Sequence, residues 1–172
     1  MNTNSQLDAS ARIACGLVEE VARSFGQVRL RVTGTSMVPS ILPGDLISIQ
    51  SADMDEILPG EIVLFSQEER LILHRVVDRR IVSTEDTSSE PCLITRGDRV
   101  NHDDAPVFTN ELLGRLVSVR RGDRQVRMAA RAGRCKHLMM RWLRSSDRAT
   151  SLYVRLVACW QIFSTGRTTC RV

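Results

Sequence analysis

The hydrophobic pattern changes period twice along the chain. Over residues 9–25, Ile13, Leu17, Val18, Val21 and Phe25 recur at helical spacing, Asp8 or Ser10 stands where a cap belongs, and Gly26 follows. An amphipathic helix is predicted there. Val28, Leu30 and Val32 then alternate with Gln27, Arg29 and Arg31, the period of a half-buried strand. Short apolar runs follow at Leu46–Gln50, Glu61–Phe65, Leu71–Val77, Cys92–Thr95 and Leu112–Val119, punctuated by Pro43-Gly44, Pro59-Gly60 and Gly97. Strands this short and closely spaced predict a mainly β body. Helical periodicity returns beyond Met128, with two helices expected over Ala129–Arg144 and Ser151–Phe163. The expected organisation is an N-terminal amphipathic helix (1–26), a β-rich body (27–128) and a basic helical appendage (129–172).

A chain of 172 residues, 42% hydrophobic and 26% charged, suits one soluble domain with a core of its own. With aromatics at 4%, that core must be built mainly from Val, Leu and Ile. The net charge of +4 is unevenly spread. Residues 120–172 hold thirteen Lys or Arg against only Asp123 and Asp147, a net +11, whereas residues 1–119 carry −7. A basic tail on an acidic body suits an anionic partner, and an anionic membrane surface is the one expected, unless the charges simply form a solvated helix face. Seven aromatic residues offer little to stack on bases, which argues against nucleic acid.

The stretch Met1–Asp8 is polar and carries no apolar core of a secretory signal. No window reaches the roughly 18–20 apolar residues of a spanning helix; the nearest, Leu152–Phe163, is short and interrupted by Arg155. A cytoplasmic or peripherally membrane-associated protein is expected. Cys15, Cys92, Cys135, Cys159 and Cys170 are odd in number and lack C-x-x-C spacing, so reduced thiols are expected rather than a zinc site or disulfide framework. No metal or cofactor is called for.

Three islands hold candidate chemistry. The first is Gly34-Thr35-Ser36-Met37-Val38-Pro39-Ser40, just after a predicted strand, followed by Leu42-Pro43-Gly44-Asp45. Gly34 lets the chain turn sharply, and a strand-end loop is a usual place for a nucleophile held on a rigid scaffold. The second runs from Gly60-Glu61-Ile62-Val63 to Leu73-His74-Arg75-Val76, with a histidine inside an aliphatic strand. Such a histidine is commonly a hydrogen-bonded core residue, yet an imidazole can take a serine proton near neutral pH. The third is Thr95-Arg96-Gly97-Asp98 with Asn101, His102, Asp103 and Asp104, which supplies carboxylates able to orient an imidazole, or merely a polar turn.

Taken together, the islands resemble the type I signal peptidases, closest to the archaeal and endoplasmic-reticulum branch that uses histidine. The matching residues are Ser36, Met37, Pro39 and Gly44-Asp45; Gly60-Glu61-Ile62-Val63 with His74-Arg75-Val76; and Thr95-Arg96-Gly97-Asp98 with Asp104. The resemblance covers about residues 30–119. It implies a mainly β fold of the signal-peptidase and SOS-repressor-peptidase kind, carrying the N-terminal helix and the C-terminal helices. It implies a serine endopeptidase with Ser36 as nucleophile, His74 as base and Asp104 as orienting carboxylate, Asp98 supporting the loop or replacing Asp104, and Asp103 a neighbouring alternative. Gly34, Thr35, Met37 and Pro39 would shape the substrate and oxyanion surroundings. The substrate would be a signal- or leader-type precursor cut after small residues.

Lysine-using relatives place a lysine on the strand of His74; no lysine occurs in residues 1–135, which excludes a Ser–Lys dyad from this body. Gly34 stands where the histidine branch often has a hydroxyl, so oxyanion stabilisation would rest on main-chain N–H groups, helped by Thr33 or Thr35. Two further readings share the fold. One is a self-cleaving regulatory peptidase, for which Ala14-Cys15-Gly16 is a candidate cut site; the other is an inactive binding module.

Overall fold

In the computed structural model, residues 3–83 and 89–126 are described. One helix, α1 (Thr3–Phe25), precedes eight strands: β1 (Gln27–Arg31), β2 (Leu46–Gln50), β3 (Ile62–Gln67), β4 (Arg70–Ser83), β5 (Ser89–Arg96), β6 (Val107–Phe108), β7 (Leu112–Arg121) and β8 (Arg124–Val126). They form one antiparallel sheet in the order β1-β2-β7-β3-β4-β5-β6, with β8 paired to β7. The expected mainly β body with one N-terminal helix is found. The helices expected over 129–144 and 151–163 lie outside the described residues.

The centre of the sheet is β3, and its sequence shows why. Ile62, Val63, Leu64 and Phe65 are all buried, and successive side chains of a strand point to opposite faces. Ile62 and Leu64 therefore join Met37, Ile41, Ile47, Ile49, Leu113 and Val119 in one cluster. Val63 and Phe65 join Met54, Ile57, Val76, Leu93 and Val107 in another. A continuous apolar run is what a strand covered on both faces requires. β1 is covered on one side only, and its polar positions Gln27, Arg29 and Arg31 are exposed as the alternation predicted.

The helix departs from expectation in length and in orientation. It begins at Thr3, so Asp8 and Ser10 lie within it rather than capping it. Of the predicted inner stripe, Val18 packs against the core, whereas Ile13, Leu17 and Phe25 are 64–74% exposed. The face turned inward carries Cys15, Val18 and Ala22. Polar ties fix that rotation: the Ser66 hydroxyl donates to Glu19, and the Arg23 guanidinium donates to the Asn110 carbonyl at 2.6 Å. Gly26 ends the helix in left-handed conformation (φ 65°), its N–H bonded to the Ala22 carbonyl at 3.0 Å.

Gly114 marks the tightest point of the sheet, where β7 passes the end of β2. Its φ is 151°, and a β-carbon there would lie 2.3 Å from the Gln50 carbonyl oxygen. Neither strain nor overlap can be relieved by a side-chain rotation, because the obstacle is main chain. Gly114→Ala is expected to lower unfolding free energy by about 2–4 kcal/mol, combining an unfavourable backbone region with overpacking. Urea denaturation of the purified variant checks this; an unchanged midpoint would show that β2 and β7 separate at no cost.

Candidate active site

Ser36 stands on the connection between β1 and β2. The two ends of that connection are zipped together: Val32 N–H bonds the Asp45 carbonyl at 2.9 Å, and Gly44 N–H bonds the Val32 carbonyl at 2.7 Å. Inside it, Val38 N–H bonds the Thr35 carbonyl and Ile41 N–H bonds the Met37 carbonyl, giving successive turns. Met37, Val38, Ile41 and Leu42 are buried, so the segment is anchored by its own apolar side chains. The Val38–Pro39 peptide bond is cis. Asp45 is buried and bound bidentately by Arg121 at 2.8 and 2.7 Å, and also accepts the Leu42 N–H at 2.9 Å. A nucleophile on this segment is held, not loose.

His74 lies on β4 opposite Val63, with its ring edge-on to Phe65 at a centroid distance of 6.3 Å. Its side chain is 11% exposed. Nδ1 is 2.6 Å from Asp104 Oδ2, and Nε2 is 3.0 Å from Ser36 Oγ. An ionised carboxylate only accepts, so Nδ1 carries the proton and the Nε2 lone pair faces the serine hydroxyl. That tautomer is the one a base needs. Ser36, His74 and Asp104 are thus joined in a single hydrogen-bonded chain drawn from three distant stretches of sequence.

The other carboxylates are otherwise engaged. Asp98 is 6% exposed and bound by Arg75 through two bonds of 2.8 and 2.9 Å. Asp103, exposed, pairs with Arg96 at 3.3 Å. His102 is exposed. Among the nearby candidates, Gly34 and Met37 line a cleft of about 430 Å³ together with Ser36, His74, Val32 and Leu73. Thr35 and Pro39 are not among its lining residues; the Thr35 hydroxyl accepts from Arg99 at 3.2 Å, and Pro39 is buried. A second hollow, over Val28, Ser48 and Ile49, holds no nucleophile beside a base. No cluster of metal-ligating side chains occurs among the described residues. Cys15 and Cys92 are unpaired and buried, and burial pushes the Cys15 thiol above its ordinary pKa, the reverse of an activated nucleophile.

Gly97 was readable in the sequence as punctuation and as a member of the Thr95-Arg96-Gly97-Asp98 box, without a role of its own, yet it borders the site. A β-carbon there would lie 3.0 Å from His74 Nε2, 3.0 Å from the Ser36 carbonyl oxygen and 3.1 Å from Val100 Cγ2. Arg99 N–H, in the same turn, bonds the Ser36 carbonyl at 2.8 Å. The turn therefore presses against both partners of the Ser36–His74 contact.

Residues 4–96, just over half of the chain, match the family model described as Peptidase S24-like. Ser36 and His74 fall inside the matched span; Asp104 lies beyond it. No curated protein matches.

Gly97→Ala is expected to push the imidazole away from the serine and to cut the rate of Ser36 phosphonylation by a fluorophosphonate at least about tenfold, since ångström-scale misplacement of reacting groups costs up to ~10²-fold. Stopped-time intact-mass measurements check this against a melting curve. Wild-type labelling in the variant would show that the turn does not set the contact.

Proposed function

The chain belongs to the Peptidase S24-like family, and on that premise we propose that it is a serine endopeptidase in which Ser36 is the nucleophile, His74 the general base and Asp104 the orienting carboxylate. The observation that carries this reading is the unbroken run of contacts from Asp104 Oδ2 through His74 to Ser36 Oγ, at 2.6 and 3.0 Å.

Ser36 Oγ attacks the scissile carbonyl while its proton passes to His74 Nε2. Asp104 stabilises the imidazolium as it forms. The imidazolium then protonates the departing amine, the peptide C–N bond breaks, and an acyl-serine remains. Water hydrolyses the ester with His74 again as base. Oxyanion charge falls to main-chain donors: among the described residues no hydrogen bond occupies the N–H of Gly34, Thr35 or Ser36. Each donor of this kind is worth about 10²–10³ in rate.

The substrate is read as a signal- or leader-type precursor. The apolar lining of the cleft by Val32, Met37, Leu64, Leu71 and Leu73 suits an apolar peptide segment. The preference for small residues before the cut bond rests on the resemblance to signal peptidases. Residues 27–128 form the peptidase body in this reading, and residues 129–172 a basic appendage that attaches it to anionic membrane. The charge asymmetry of the chain supports that attachment. No described helix is long and apolar enough to cross a membrane. Cleavage of another chain is favoured over self-cleavage at Ala14-Cys15-Gly16, because that tripeptide is helical here and Cys15 is 4% exposed.

Incubation of wild type, Ser36→Ala and His74→Ala with a fluorophosphonate and with signal-sequence peptides tests the enzyme. Wild type should gain one adduct or cleave, Ser36→Ala should do neither, and His74→Ala should lose at least about 10³-fold. A folded His74→Ala protein that reacts with the fluorophosphonate at the wild-type rate would remove His74 as base. Vesicle sedimentation tests the attachment separately: pelleting should require anionic lipid, and equal pelleting with neutral vesicles would remove the membrane from the reading.

A further inference from the structure

We propose that Thr95 is a positioning residue of the site, holding the carboxylate of Asp104 in the orientation that His74 uses; this rests on the Ser36–His74–Asp104 reading above. Asp104 sits in a connecting segment whose preceding residues, Asn101, His102 and Asp103, are all exposed. Such a segment does not by itself fix a carboxylate to a fraction of an ångström.

Two ties do so, and both lead to one residue. Asp104 N–H bonds the Thr95 carbonyl at 2.9 Å, and the Thr95 hydroxyl donates to Asp104 Oδ2 at 2.6 Å. Thr95 itself is fully buried on β5, in register with Val76 of β4, two residues beyond His74. It therefore carries the position of the histidine strand across to the aspartate. A buried hydroxyl must find a partner, and here it spends its only proton on the same oxygen that accepts from His74 Nδ1.

Convergence on Oδ2 has a specific consequence. Two donors aimed at one oxygen fix the carboxylate's rotation, so that one of its oxygens stays directed at the imidazole. They also hold negative charge in a place where the Asp104 side chain is only 16% exposed. Thr95→Val keeps the shape and removes the donor. Thr95→Ser keeps the donor and removes the methyl group.

The test uses the full chain as wild type, Thr95→Val, Thr95→Ser and Ser36→Ala, with a fluorophosphonate as probe and low-field proton NMR of the His74 Nδ1–H. Folding of each is checked by near-ultraviolet circular dichroism. Losing a hydrogen bond to a charged group should slow phosphonylation of Ser36 by about 10- to 100-fold in Thr95→Val, and Thr95→Ser should return to within about threefold of wild type. The Nδ1 proton signal should move or vanish in Thr95→Val and persist in Thr95→Ser. Labelled wild type with equal labelling of folded Thr95→Val, or an unmoved Nδ1 signal in that variant, would overturn the role of Thr95 and leave the peptidase intact. A wild type that takes no label on Ser36 would instead remove the peptidase reading and this inference with it.

Discussion

The bidentate pair between Arg75 and Asp98 is the constraint on which the site depends. Arg75 follows His74 on β4, and Asp98 follows Gly97 in the turn after β5. Two bonds of 2.8 and 2.9 Å join them, and a third from Arg75 reaches the Gly60 carbonyl at 2.7 Å. The Asp98 side chain is 5% exposed, so removing Arg75 would strand a buried charge, at a cost of about 3–5 kcal/mol. Because Arg99 N–H in that turn bonds the Ser36 carbonyl, one ion pair locates His74 and Ser36 together. Asp45 and Arg121 perform the same service at the far end of the Ser36 segment, tying it to the end of β7. Both arrangements use the planar fork of arginine, which lysine cannot reproduce.

These pairs work because the sheet beneath them is rigid. β3 is buried on both faces and splits its apolar residues between two clusters, so that a shift by one residue would exchange the contents of both. His74 is carried in register with Val63 on the neighbouring strand. Its position is therefore inherited from the most constrained strand of the protein, while Ser36 and Asp104 reach it from connections pinned by polar contacts. A strand supplies His74, and two anchored segments bring Ser36 and Asp104 to it.

Much of this was legible in the sequence, for reasons that differ by element. β1 announces itself by alternation, and β2 and β3 by short apolar runs between turn residues. α1 was legible as a helix but not in its rotation, because its inner face is chosen by Glu19–Ser66 and Arg23–Asn110, contacts with residues far along the chain. β6 and β8 span two and three residues, too few for any period to register. The β3–β4 hairpin turns on Glu68 and Glu69, both at positive φ, where Asn-Gly is the usual signal. Among Asp98, Asp103 and Asp104 the sequence could not choose. The choice is tertiary: Arg75 occupies the first, Arg96 the second, and the third is left facing His74. Thr95 and Gly97 stood inside a recognised box without a visible task, since one acts through a buried hydroxyl and the other through the absence of a side chain.

A histidine base makes demands that a lysine base would not. An amine has three equivalent protons and no tautomer to fix, whereas an imidazole must hold its proton on the nitrogen away from the serine. With no lysine in residues 1–135, the proposed mechanism takes the second course. In that mechanism the additional parts of the site answer the need: Asp104 would fix the tautomer, and Thr95 would hold Asp104. Residues that act as one unit give strongly non-additive losses when removed together. On this view Thr95, Asp104, His74 and Ser36 form one hydrogen-bonded device, in which the outer members matter only through the inner ones. Once His74 is gone, the hydroxyl of Thr95 has no further work in catalysis.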